Sequence, residues 1–183
     1  MKVKKKIVIS GGPGSGKTTL INLLKKRGFH CFDEISRSFI EEGKKQGIHN
    51  VFKSTPLDFS RFLWEGRKAD YMAANQIEFG SNDLPWVFYD RGLPDVTAYL
   101  NQQGVETKEW ENELKQHKYD LVFLIAPEES IYTTDGERME NFEQAKALHQ
   151  SLKNTYLGLG KIIEVPFLTP NQRLNFILTH CHD

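Results

Sequence analysis

The stretch Ser10-Gly11-Gly12-Pro13-Gly14-Ser15-Gly16-Lys17-Thr18-Thr19 constrains this chain more than any other. It fits the spacing G-x-x-x-x-G-K-[ST], with Gly11, Gly16, Lys17 and Thr18 in the fixed places. The apolar, β-branched run Ile7-Val8-Ile9 precedes it, and Leu20-Ile21-Asn22-Leu23-Leu24 follows at helical spacing. Strand, glycine loop and helix therefore succeed one another in the order that gives such a loop its meaning. A turn that merely joined strand to helix would need neither Lys17 nor Thr18.

The residue types answer a chemical need. Glycines clear side chains away, so that backbone N–H groups turn inward around phosphate oxygens. The helix N-terminus adds the positive end of its dipole. Lys17 reaches the β- and γ-phosphates, and the Thr18 hydroxyl is suited to Mg²⁺. Gly11, Gly12, Pro13, Gly14, Ser15, Gly16, Lys17, Thr18 and Thr19 are thus the expected nucleotide-binding residues, with ATP as substrate and Mg²⁺ as cofactor.

Beyond the loop, apolar runs and helical stripes alternate. Phe29–Phe32, Leu84–Asp90, Leu121–Ile125 and Ile162–Pro166 read as further strands. Helices are expected over 35–45, from Thr55-Pro56 to about Glu78, after Pro94, over 107–116, over Phe142–Leu157, and from the capping box Thr169-Pro170-Asn171-Gln172 onward. In the second of these, Phe59, Phe62, Leu63, Ala69, Ala73 and Ile77 mark the expected buried stripe. In the last, Leu174, Ile177 and Leu178 face inward. Alternating strands and helices predict an α/β fold: a three-layer P-loop NTPase with a parallel sheet of about five strands and helices on both faces. Its 183 residues suit one such domain.

Charge excludes some functions. The 24 basic residues balance 24 acidic ones, which argues against a general nucleic-acid or membrane-surface binder. Lys2, Lys4, Lys5 and Lys6 read as a solvated lead-in to the first strand. No apolar run is long enough for a signal peptide or a bilayer span; the longest, Leu121–Ala126, is far too short. Cys31 and Cys181 read as free thiols of a reducing cytoplasm. His180-Cys181-His182-Asp183 carries metal-ligand residue types, but its terminal position favours a frayed helix end over a metal site.

Three further clusters fall at strand ends, where ligands bind in such folds. Asp90 ends an apolar strand and is expected to hold Mg²⁺ directly or through water, with Arg91 beside it to meet phosphate or a substrate anion. A buried structural ion pair is the alternative. Glu34 follows the second strand, one helical turn before Arg37. There Glu34 would orient or deprotonate an acceptor hydroxyl, and Arg37 would bind an anionic group; an ordinary surface pair is the alternative. Arg138, in the polar segment Asp135-Gly136-Glu137-Arg138, would close over the triphosphate as a lid, if that segment is not simply a solvated loop.

These same residues carry a family resemblance. Gly11–Thr18, Glu34-Ile35-Ser36-Arg37, Tyr89-Asp90-Arg91-Gly92-Leu93-Pro94-Asp95, Asp135–Arg138, Phe142-Glu143-Gln144-Ala145 and Leu148-His149 resemble NadR-like AAA-type P-loop ATPases, which are related to nucleoside and nucleotide kinases. Asp90-Arg91 with Ala98-Tyr99 is similar to a segment of thymidylate kinases. The resemblance implies a kinase acting on a small nucleoside- or nucleotide-like acceptor, with Lys17, Asp90, Glu34 and Arg138 catalytic, and Glu34, Arg37 and Arg91 binding the acceptor. It departs from nucleotide kinases in its sparse lid, since Arg138 is the sole arginine between Arg91 and Arg173. With no adenylyltransferase domain ahead of the loop, it points away from a bifunctional NAD-synthesis enzyme. The rival readings are an ATPase or GTPase switch acting on a protein partner, and a nucleotide- or lipid-binding module without turnover.

Overall fold

A run buried on both faces wants a central strand, and Ile7, Val8 and Ile9, all fully buried, occupy one. They form the middle of β1 (Lys5–Gly11) in a computed structural model that describes residues 3–36, 56–129 and 142–182. The other elements, in chain order, are α1 (Lys17–Lys26), β2 (His30–Phe32), α2 (Pro56–Ala73) with a 3₁₀ turn at Ala74–Gln76, β3 (Trp86–Asp90), α3 (Leu93–Gln102), α4 (Lys108–Leu114), β4 (Leu121–Ile125), α5 (Phe142–Tyr156), β5 (Lys161–Val165) and α6 (Pro170–His182). The five strands pair in parallel in the order β2-β3-β1-β4-β5. This is the expected α/β sheet.

Alternation along β1 splits the core in two. Ile7 and Ile9 pack with Leu20, Ile21 and Leu24 of α1 and Leu174, Ile177 and Cys181 of α6. Val8 faces the other way, onto Leu148, Leu152 and Tyr156 of α5. A third cluster joins α2, α3 and α4, where the Trp64 and Trp110 rings stack at 5.1 Å. From β1 the chain passes over β3 to reach β2; from β3 it passes over β1 to reach β4. The strand order therefore reverses between β1 and β3, and a crevice opens there at their carboxyl ends. Register places Asp90 beside Ile9, just below the phosphate loop.

Several elements differ from expectation. Phe29 precedes β2 instead of entering it. Gly28 turns at φ +86° and the Phe29 N–H returns to the Leu24 carbonyl (3.2 Å), so the helix end captures the residue. Its ring stacks on Trp86 at 5.6 Å. The helix begun at Pro56 ends at Ala73, not near Glu78. Phe62, Ala69 and Ala73 face outward, while Phe59, Leu63, Trp64 and Arg67 are buried. The buried stripe is thus rotated from the one read from aromatic spacing. Lys2 lies outside the described residues, but Lys5 and Lys6 are no solvated lead-in: within β1 they pair with Trp86 and Val87 of β3, the Lys5 ammonium donates to the Cys181 carbonyl (2.9 Å), and that of Lys6 sits 3.4 Å from the centre of the Tyr71 ring. The chain end is not frayed through His182. Cys181 is fully buried, His182 packs on Trp86 and His180 on Phe176. Thr169 and Gln172 form the expected capping box, exchanging bonds of 3.1 and 3.4 Å. Residues 37–55 and 130–141 lie outside the described residues, and with them most of the helix expected over 35–45, the Thr55 cap and the lid segment. No helix among the described residues is long and apolar enough to cross a membrane.

Candidate active site

The loop between β1 and α1 is shaped by glycines that have no substitute. Gly11 adopts φ +152°, and a Cβ there would lie 2.5 Å from the Ile125 carbonyl oxygen. Gly14 and Gly16 adopt φ +72° and +90°. Gly16 caps α1 without a side-chain bond, and the first turn of the helix points its N–H groups toward the loop. Three carbonyls of the loop accept from side chains. Gly12 O accepts from Lys17 Nζ (2.7 Å) and Ser15 Oγ (2.9 Å), Gly11 O from Arg91 Nη1 (3.0 Å), and Ser15 O from Arg173 Nη1 (3.0 Å).

At the floor of the crevice Lys17 and Asp90 are both buried. Burial, reinforced by Arg91, lowers the Lys17 ammonium below the ordinary lysine range. Burial raises the Asp90 carboxyl, and Asp90 Oδ1 has no hydrogen-bond partner. Lys17 and Asp90 attract one another, but burial outweighs that attraction for both, so each gains from a further opposite charge. A polyphosphate supplies one to Lys17, and a divalent cation would supply one to Asp90. The orphaned carboxylate oxygen, beside a loop carrying Thr18, fits Mg²⁺.

On the β2 side stands a network of buried ions. Glu34 Oε1 accepts from Arg67 Nη2 at 3.0 Å, and Glu34 Oε2 pairs with Arg91 Nε. Burial alone would push the Glu34 carboxyl up. Arg67 and Arg91 outweigh it, helped by the Ser36 N–H (3.3 Å), and hold it down at about 2. Arg67 Nη1 also donates to Gly92 O (3.2 Å). Arg91 adopts φ +75°, the only positive φ of a non-glycine residue among those described. Such a conformation costs of order 1 kcal/mol or more and persists where its surroundings over-determine it. Here they do. Its N–H donates to Ile9 O (3.0 Å), its guanidinium reaches Glu34, Gly11 O and Asp95, and it lies over the Tyr99 ring. Asp95, fully buried, accepts from Ser10 Oγ (2.6 Å), Gly92 N (3.0 Å) and the Tyr156 hydroxyl (2.5 Å). The phosphate loop, the end of β3 and the end of β2 are thereby one connected polar unit.

The structure brings together Gly11–Thr19, Glu34, Asp90 and Arg91. Arg37 and Arg138 lie outside the described residues. Asp33 stands apart from the crevice, 67% exposed and paired with Lys25 at 2.5 Å. Sequence reasoning missed Arg67, Asp95, Tyr156 and Arg173. Arg67 and Arg173 each lie on the buried side of their helices, where an unpaired cation is costly, a placement that emerges only in the fold.

The AAA domain family model matches residues 6–173. A curated relative, "Nucleotide-binding protein" of Pseudomonas fluorescens (strain SBW25), is 33% identical over 51 residues, 28% of this chain and only 18% of that protein's length. Among solved structures, deoxyadenosine kinase from M. mycoides with bound dATP superposes with TM-score 0.66 and 16% identity, covering 98% of this chain and 100% of that one. NadR protein in complex with NAD and AMP-PNP gives TM-score 0.68 and 19% identity over 98% of this chain and 49% of that chain. Thymidylate kinase from Ehrlichia chaffeensis gives 0.64 and 15%, covering 98% and 100%. The fold is therefore the one that NadR shares with deoxyadenosine and thymidylate kinases. With the phosphate loop, the acid-ended strand and a model match over nearly its whole length, the chain belongs to the AAA domain family.

Proposed function

We propose that this protein is a Mg²⁺-dependent kinase that transfers the γ-phosphoryl group of ATP to a hydroxyl of a small nucleoside- or nucleotide-like acceptor. One observation carries the reading: a buried, ionised carboxylate, Glu34, held between Arg67 and Arg91 in the crevice beside the phosphate loop. A buried acid fixed by two arginines beside the phosphate loop suits an acceptor hydroxyl, which must be aligned with the γ-phosphate. The kinase neighbours share the fold and support the same class.

Gly11–Thr19 cradle the triphosphate, and Lys17 leaves Gly12 O to meet the β- and γ-oxygens. Thr18 and Asp90 would hold Mg²⁺, which when bound would offset charge on the phosphates. Arg91, fixed by Glu34, Gly11 O and Asp95, keeps positive charge beside the phosphoryl group in transit. With its carboxyl held near 2, Glu34 is a weak base, so it accepts a hydrogen bond from the acceptor hydroxyl and orients it, rather than removing its proton early. A loose phosphoryl-transfer transition state asks for little more. Arg37 binds the anionic or polar part of the acceptor, and Arg138 closes from the lid.

The test is a screen of nucleosides and nucleotides with purified protein, ATP and Mg²⁺, reading ADP release. Acceptor-dependent ADP release is expected. Turnover that no acceptor stimulates, but a protein partner does, would contradict the kinase reading in favour of a switch ATPase.

A further inference from the structure

We propose that Arg173, from α6, is a positioning residue of the phosphate loop: by holding the Ser15 carbonyl it turns the Ser15–Gly16 peptide so that the Gly16 N–H faces the bound phosphates. The inference rests on the reading of Gly11–Thr19 as a phosphate cradle. Arg173 Nη1 donates to Ser15 O at 3.0 Å, across 158 positions of sequence. No cis peptide occurs among the described residues, and a planar trans peptide aims its N–H opposite its carbonyl. Fixing the carbonyl toward α6 therefore aims the Gly16 N–H away from α6. Gly16 itself sits at φ +90°, a glycine conformation that nothing in its own side chain can hold.

The other held carbonyls of the loop show why this anchor matters. Gly12 O is held by Lys17 Nζ and Ser15 Oγ, both local to the loop, and Lys17 must turn to phosphate when a ligand binds. Gly11 O is held by Arg91, which Glu34 and Asp95 already fix. Arg173 is the corresponding outside anchor at the far end of the loop, next to the start of α1. Its position is rigid. The Arg173 N–H bonds Thr169 O (2.9 Å) in the first turn of α6, the guanidinium packs over the Phe167 ring at 5.2 Å, and Leu174 and Ile177 bury the helix against α1. The residue is 8% exposed, so its guanidinium faces the loop and the nearby Glu128 carboxylate rather than solvent. A Cβ at Gly16 would meet Nη1 at 3.6 Å, an ordinary contact distance, so the guanidinium lies directly beside Gly16.

Calorimetry with inorganic tripolyphosphate and with ATP, each with Mg²⁺, tests the role in the full chain. Arg173→Met keeps the apolar stem and removes the donor, while Arg173→Lys keeps charge and one donor. The Met variant is expected to lose roughly tenfold to a hundredfold in affinity for both probes, as for a charge-assisted bond, with Lys recovering most of it. Tripolyphosphate binding unchanged in Arg173→Met overturns the proposal; so does a loss confined to ATP, which would assign Arg173 and Phe167 to the base instead. Should the Met variant fail to fold, the wild-type protein still decides the matter. Its Gly16 amide proton must shift downfield on titration with tripolyphosphate, and an unmoved Gly16 resonance in a protein that binds the probe overturns the proposal alone. A wild-type protein that binds neither probe overturns the phosphate-cradle reading with it.

Discussion

On the phosphate side of the crevice one unbroken stretch, Gly11–Thr19, supplies the cradle. On the acceptor side Glu34, Arg67, Arg91 and Asp95 arrive from just beyond β2, the middle of α2, the turn between β3 and α3, and the first turn of α3. The first region is dictated by backbone conformation, the second by buried charges that satisfy one another. Failure should therefore look different in the two. A side-chain loss in the loop removes ligand binding and leaves the fold standing. A loss in the ion network leaves an unpaired buried charge and weakens fold and chemistry together.

The largest expected effect lies in the loop. Lys17→Ala should reduce ATP turnover by roughly 10²–10³-fold or more, as for loss of a donor aimed at developing charge, while the melting temperature stays near wild type. Asp90→Asn should cost Mg²⁺-dependent turnover far more than Mg²⁺-free nucleotide binding. Turnover indifferent to Mg²⁺ concentration in that variant would remove Asp90 from the metal.

Next comes the network. Asp95→Ala strips the partner from Arg91, Ser10 and Tyr156 at once and should destabilise the protein by about 3–5 kcal/mol in urea unfolding. A change under about 1 kcal/mol would show that the network is ornamental. Its acid limb is also defined. Glu34 is depressed from 4.5 to about 2 in the folded state, so its stabilisation is complete above about pH 4.5 and is lost as pH falls toward 2. That loss is about 3 kcal/mol. Glu34→Gln should flatten the stability curve in this window, and an unchanged slope there would mean the carboxylate is not paired in solution.

How much of this was legible in the chain follows from the same contrast. The loop could be read because its glycines, lysine and flanking periodicities are contiguous. Asp90 and Glu34 could be placed because each ends or follows an apolar run at a strand's carboxyl end. Arg67 could not, because aromatic spacing phased the buried stripe of α2 through Phe62 and Ala69, whereas the fold buries Leu63, Trp64 and Arg67. Lys5, Lys6 and His182 look solvent-bound as residue types, but their partners, Cys181, Tyr71 and Trp86, are set by the tertiary fold. Tyr156 and Arg173 reach the site from α5 and α6, across separations no local pattern encodes.

The smallest expected effect belongs to neither side. Thr169→Ala removes the α6 capping box and should cost about 1 kcal/mol with ATP affinity nearly unchanged. A larger fall in affinity than in stability would tie the α6 N-terminus directly to nucleotide binding.

The central claim is that Glu34 orients an acceptor rather than maintaining the nucleotide site. The direct measurement is Glu34→Gln assayed twice on one preparation, for ATP affinity by calorimetry and for acceptor-dependent ADP release with an acceptor found in the screen. The account predicts ATP affinity close to wild type and acceptor phosphorylation reduced by roughly 10²–10⁴-fold. Acceptor phosphorylation at the wild-type rate, or a loss of ATP affinity as large as the loss of turnover, would contradict it.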